Sequence, residues 1–132
     1  DTYASHYYTN IILNFLARSA QHAPNETCLC AALRYEQAAY NYLRAGMRRK
    51  YAFHIVLAGH MYKNEHPSHA LRCYGSALLI FKNTWSSIYD HVSYALAAQL
   101  STQGSPGLAS VLYGRLVGVG RQSLRFQDDL LR

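Results

Sequence analysis

The chain has 132 residues, 50% of them hydrophobic, which is enough for one modest core and too little for two independent ones. Thirteen Lys and Arg against seven Asp and Glu give a formal net charge of +6, but charged residues are only 15% of the chain and never form a block of five or six like charges. A polybasic tail is therefore excluded, and no apolar run approaches the ~18 residues that a membrane span needs.

The predicted elements are helices throughout. From Thr2 to about Gln21, Tyr3, Tyr7, Tyr8, Ile11, Ile12, Phe15 and Leu16 form one broad apolar face, with Asn10, Asn14 and Arg18 largely opposite. His22-Ala23-Pro24-Asn25 ends this helix, and Asn25 is placed to cap the next. The second helix runs from about Glu26 to Ala45, carries Leu29, Ala32, Leu33, Tyr35, Ala38, Ala39, Tyr42 and Leu43, and is closed by Gly46. Residues 49–85 then read as two antiparallel helices joined by a tight turn at Glu65-His66-Pro67. On the first, Phe53, Val56, Leu57 and His60 sit at helical spacing, while Ala52, Ala58 and Gly59 leave room for a neighbour. Pro67 opens the second, along which Ala70, Tyr74, Ala77 and Phe81 recur. Thr84 or Ser86 is placed to cap a fifth helix reaching about Leu100, with Ile88, Val92, Ala95, Leu96 and Gln99 on one side. Gly104-Ser105-Pro106-Gly107 is turn chemistry. A sixth helix, weakened by Gly114 and Gly118, spans about Leu108 to Val119, and residues 124–132 form a short terminal helix or a frayed tail.

Six alternating helices invite a search for a repeat, and a shift of 39 residues superposes them. Ala70 falls on Ala31 and Ala109, Tyr74 on Tyr35 and Tyr113, and Ala77 on Ala38 and Leu116. On the first helices Gly59 falls on Ala20 and Ala98, and Ile55 on Leu16 and Tyr94. Small, aromatic, small at these steps is the second-helix pattern of a tetratricopeptide-like repeat, although the strict form has a period of about 34. The fold expected is all-α: a tetratricopeptide-like α-solenoid of about three antiparallel helix pairs, forming a single domain over residues 1–132. Ala31, Tyr35, Ala38, Gly59, Ala70, Tyr74, Ala77, Ala109 and Tyr113 are its packing signature. The chain opens on Asp1 and not Met, which reads as a piece of a longer protein.

Little in the side chains points to chemistry. Cys28 and Cys30 form CxC and Cys73 stands alone, so no disulfide framework or paired metal signature exists, and buried reduced thiols are the simplest reading. His66 and His69 are three apart with His60 nearby, but no HExxH or Cys/His quartet is present, so no metal is expected. The carboxylates do not pair at a helical spacing suited to general acid and base, and GxSxG, GxxxxGK[ST] and GxGxxG are absent. The expectation is a non-enzyme without cofactors. Arg48, Arg49 and Lys50 make the densest positive cluster, either a solvated turn with cations near helix ends or a contact for a partner or a membrane. Nucleic acid is not expected, because Arg18 falls on Leu57 and Leu96, and Arg34 on Cys73 and Leu112, so no basic ladder runs through the repeats.

The stretches Arg49-Lys50-Tyr51-Ala52-Phe53-His54, Leu57-Ala58-Gly59-His60 and His69-Ala70-Leu71-Arg72-Cys73-Tyr74 carry a family resemblance. Together with Glu36-Gln37-Ala38-Ala39 before them and Trp85 and Asp90-His91 after them, the chain resembles the C-terminal helical region of the subunit 8 family of the TRAPP vesicle-tethering complex. The likeness covers roughly residues 36–91 and fades beyond about Gln99; its turn at residues 63–68 is shorter than the family's and has His66-Pro67 where the family tends to have glycine and lysines. The resemblance implies a non-catalytic scaffold in a TRAPPIII assembly, an exchange factor for an early-secretory Rab GTPase whose chemistry belongs to other, small core subunits. It implies TRAPP subunits as partners, a Rab GTPase indirectly, and a cytoplasmic place, peripheral at Golgi and autophagosome-forming membranes. A peptide-binding tetratricopeptide-like module is the alternative, with an RNA-binding helical repeat behind it.

Overall fold

The computed structural model describes residues 3, 4, 6–12, 27–82 and 85–119. Every regular element among them is helical: α1 at residues 6–12, α2 (Cys28–Arg44), α3 (Arg48–Tyr62), α4 (Pro67–Phe81), α5 (Ser86–Thr102) and α6 (Pro106–Val119). The protein is all-α, a tetratricopeptide-like stack of helix pairs. Close backbone approach joins α2 to α3, α3 to α4, α4 to α5 and α5 to α6, successive helices from α2 onward meeting as in a solenoid. The second helices of the three pairs begin at residues 28, 67 and 106, steps of 39.

Local chemistry sets the helix ends. Gly46 (φ 77°) follows α2 and Gly104 (φ 80°) follows α5, both left-handed. After α2 the Met47 N–H bonds to the Tyr42 carbonyl and the Gly46 N–H to Leu43; after α5 Ser105 bonds to Leu100 and Gly104 to Ser101. This is the same paired closure of the last turn at both ends. Thr27 caps α2, its hydroxyl accepting from the Cys30 N–H, whereas Pro67 begins α4 where a missing N–H costs nothing.

The core is made of small residues and a few rings. Ala32, Ala39, Ala52, Ala58, Ala70 and Ala77 are buried, and around them lie Ile55, Tyr62, Cys73, Tyr74, Phe81 and Val92. Alanines let the axes approach, and the rings fill what remains. The tightest point is Gly59 against Tyr74. A Cβ at Gly59 would lie 2.7 Å from Tyr74 Cε1 and 3.1 Å from Cδ1, well inside contact distance. Tyr74 has no room to yield, being 1% exposed with its hydroxyl 2.8 Å from His60 Nδ1.

Some details differ from the periodicity, for physical reasons. On α3 the buried face is Ala52, His54, Ile55, Val56, Ala58, Gly59 and Tyr62, and Phe53 is 50% exposed. Both α2 and α4 flank α3, so Ala52, Ala58 and Gly59 are buried beside Ile55, Val56 and Tyr62, and Phe53 is left at the rim. The same inversion occurs on α2, where the alanines and Tyr42 are inside while Leu29, Leu33 and Leu43 are exposed. Tyr3 and Tyr7 are exposed on the helical N-terminal residues, and Tyr94 on α5. The first helices are spaced by 38 residues, from Arg48 to Ser86, so Ile55 corresponds to buried Ser93 and Gly59 to buried Ala97 instead of Tyr94 and Ala98. Trp85, not Ser86, occupies the N-cap of α5, without a side-chain cap bond, and α6 starts two residues earlier than expected, at Pro106. Cys28 and Cys30 are exposed; only Cys73 is buried. Asn25, Thr84, Phe15, Leu16, Ala20 and the stretch 124–132 lie outside the described residues.

Two glycine variants separate packing from helix propensity. Gly75, also within α4, has nothing within 4 Å of its would-be Cβ. Gly75→Ala is expected to gain up to about 1 kcal/mol, the helix-propensity difference. Gly59→Ala is expected to lose stability despite the same propensity gain, because overpacking typically costs about 1–3 kcal/mol. Urea denaturation of both variants reads the sign of each change.

Candidate interaction surface

Polar groups inside the stack serve first to connect its helices. Glu36 on α2 accepts from the Tyr62 hydroxyl of α3 at 2.8 Å and from the Arg72 guanidinium of α4 at 2.6 Å, so one carboxylate ties three helices. Its side chain is 12% exposed and that of Arg72 44%, which makes Arg72 the solvent-facing lid of the node. Burial alone would raise the Glu36 pKa, but the bonds from Arg72 and Tyr62 outweigh it and hold the carboxyl below its ordinary value. Burial and the bond to Glu36 push the Tyr62 hydroxyl well above its usual value, so it remains a donor. The neighbouring Cys73 thiol is pushed up to about 11, chiefly by burial, and is thus protonated and poorly nucleophilic at neutral pH.

On the other side, α3 and α5 are joined by their polar side chains. Gln99 Nε2 donates to the Lys63 carbonyl at the end of α3, and the His60 and His91 rings lie 5.6 Å apart. Tyr74, pushed up to about 12 by burial, keeps its proton for His60 Nδ1. His54 Nδ1 donates to the Lys50 carbonyl at 2.7 Å, and its ring packs on Tyr42. Burial holds both His54 and His60 below their ordinary pKa, leaving neutral imidazoles that serve as internal connectors. Among the described residues no group of three or more His, Cys, Asp or Glu is placed to hold a metal ion.

The basic cluster is built differently. Arg48, Arg49 and Lys50 are all exposed and form the first turn of α3. That is the positive end of the helix dipole, where a cation costs roughly 0.3–1 kcal/mol and a carboxylate would stabilise instead. Cations near helix ends are therefore not explained here by helix stability. The turn is fixed by rings: the Arg49 guanidinium lies 5.3 Å over Trp85 and the Lys50 ammonium 5.4 Å over Tyr42. Trp85 in turn stacks on buried Phe81, and the next residue, Lys82, is exposed. A shallow depression lined by residues 46–50 completes this edge.

Of the packing signature, Ala31, Ala38, Gly59, Ala70, Tyr74, Ala77 and Ala109 are buried, while Tyr35 and Tyr113 are half-buried. Where Gly59 has an alanine counterpart on α5, Tyr113 stays partly outside and meets Tyr94 instead, ring centres 6.0 Å apart. Sequence reasoning missed the Glu36–Arg72–Tyr62 node, because the repeat places Arg72 opposite Leu33. The signal available was that Glu36 and Arg72 stand in two of the stretches that carried the family resemblance. Trp85 and Phe53 beside the cations were missed too, both having been assigned to other roles.

These features define a helical-repeat protein of the scaffold class, whose polar residues connect helices and whose exposed chemistry lies on an edge. The chain is similar to human Trafficking protein particle complex subunit 8, with 37% identity over 109 residues, 79% of this chain, and is a relative of that subunit over this stretch. It spans about 8% of that protein's length. No family model matches. No solved structure matches either.

The node and the histidines predict two separate acid transitions. The native state binds fewer protons than the unfolded chain at His54 and His60, so their contribution is fully present above the ordinary value of 6.5 and is lost as pH falls below it. Glu36 contributes above its ordinary value of 4.5 and is lost lower still. The melting temperature is expected to fall in both windows, and His54→Gln/His60→Gln to flatten only the upper one. In urea at pH 7, Glu36→Ala is expected to cost about 1–3 kcal/mol by stranding the buried Tyr62 hydroxyl. Arg72→Ala, which removes a half-exposed partner, should cost less.

Proposed function

We propose that the chain is a non-catalytic scaffold segment of a TRAPPIII-type vesicle-tethering and Rab-exchange assembly, acting in Golgi traffic and autophagy. The observation that carries this is its 37% identity with human Trafficking protein particle complex subunit 8, over 79% of the chain. The architecture supports the reading: stacked helix pairs offer long surfaces for other subunits, and the buried polar groups are spent on connecting helices. Residues 1–132 act as one repeat domain, with Tyr35, Tyr74 and Tyr113 as packing residues. Other TRAPP subunits are its direct partners and a Rab GTPase an indirect one. The assembly places it in the cytoplasm, peripheral at Golgi and autophagosome-forming membranes; no helix among the described residues is long and apolar enough to cross a membrane. Arg48, Arg49 and Lys50 are its contact residues.

Affinity-tagged chain expressed in cells is expected to co-purify with TRAPP core subunits and to carry no exchange activity without them. Recovery of the chain free of those subunits, under conditions in which a longer subunit 8 captures them, would remove this segment from the assembly contact.

A further inference from the structure

The geometry points to the Arg48–Lys50 edge as a docking site for an acidic peptide segment of a protein partner, with one bulky apolar side chain seated between Phe53 and Trp85. The inference rests on the contact role given above to the basic turn and specifies what that turn recognises. Three observations converge on it.

The first is charge against helix polarity. Three consecutive cations occupy the first turn of α3, which has no acidic residue and no side-chain cap. Exposed Lys82, the chain neighbour of Phe81, adds a fourth cation. The described acidic residues are Glu36, bound by Arg72, Glu65 beyond the opposite end of α3, and Asp90 in the second turn of α5, itself engaged in an interaction of its own. The second is exposed aromatic surface next to Arg49. Trp85 is 44% exposed beneath Arg49, and Phe53, one helical turn from Arg49, is 50% exposed. The third is preorganisation: Arg49 is held over the indole and Lys50 over Tyr42, so ordering these side chains is not left to the binding event.

A peptide fits this surface better than a lipid bilayer does. Trp85 is held by Phe81 on one side of the chain and by Arg49, with ring centres 6.3 Å apart and nearly parallel at 16° in the Phe81 stack. A ring engaged by both neighbours in this way is constrained against inserting among acyl chains. Acidic side chains can instead reach the cations from along the depression at residues 46–50.

Trp85 is the sole tryptophan, so its emission reports occupancy directly. The 132-residue chain is titrated with a short Glu- and Asp-rich peptide carrying one central Phe, with the same peptide having Gln and Asn in place of the acids, and with phosphatidylcholine–phosphatidylserine vesicles. The acidic peptide is expected to give a saturable change that weakens as salt is raised, with the neutral peptide and the variant Arg48→Glu/Lys50→Glu each binding roughly tenfold or more weakly. The variant places carboxylates at a helix N-terminus, so its melting temperature is expected to be no lower than that of the parent, which makes lost binding distinct from lost fold. No saturable response to the acidic peptide, equal responses to acidic and neutral peptides, or tighter binding to vesicles than to peptide would each overturn the inference. Co-purification of the variant with TRAPP subunits reports separately on the scaffold role: lost assembly with lost peptide binding supports both readings, retained assembly with lost peptide binding keeps the peptide site but removes the basic turn from the subunit contact, and lost assembly with retained peptide binding overturns this one alone.

Discussion

The contact of Gly59 with Tyr74 sets the distance between α3 and α4, and much of the remaining packing follows from it. A ring that lies 2.7 Å from where a Cβ would stand can be buried only because the residue opposite has none. Once buried, Tyr74 requires a partner for its hydroxyl, and His60, the next residue after Gly59, supplies it. His60 is then half-buried and neutral, and its ring reaches the next pair through His91. One missing methyl group thus determines an interaxial distance, a hydrogen bond and a contact between successive pairs.

The other connections follow the same logic at longer range. Neighbouring helices meet through alanines, which bring backbones close but carry no specificity of their own. Helices two apart are joined by longer polar side chains, Glu36 to Arg72 on one side and Gln99 to the Lys63 carbonyl on the other. Both bonds span 36 residues in sequence, close to the repeat step, as expected when each joins one pair to the next. Glu36, Tyr62, Arg72, His60, Tyr74 and Gln99 are all engaged in this stitching. The cations at the start of α3 are placed differently: they stand where the helix dipole disfavours them, and Arg49 and Lys50 lie over rings.

The helices, their order and the 39-residue step of the second helices were legible in the sequence because each rests on local chemistry. Pro67 and Pro106 open helices, Gly46 and Gly104 close them, and alanine and tyrosine recur at helical steps. Which way each helix faces was less legible. Phe53 and Leu33 look like core residues by hydrophobicity, yet where helices pack closely the alanines and Gly59 occupy the contact and these two side chains are left at the rim. Hydropathy ranks side chains by their cost in water and not by the space a neighbour leaves them. The 38-residue step of the first helices was hidden for a related reason: it is set by where α5 begins, at Trp85, and not by a residue pattern.

The sequence by itself determined the all-α class, the helical pairs, the close approach at Gly59 and the kinship with a TRAPP subunit, all of which depend on residue identity at short spacing. Only the tertiary structure decided that Glu36, Tyr62 and Arg72 form one node and that Arg49 lies over Trp85. The physical reason is that these partners are separated by tens of residues, and charge and aromaticity do not specify a partner until helix packing has brought the groups within reach.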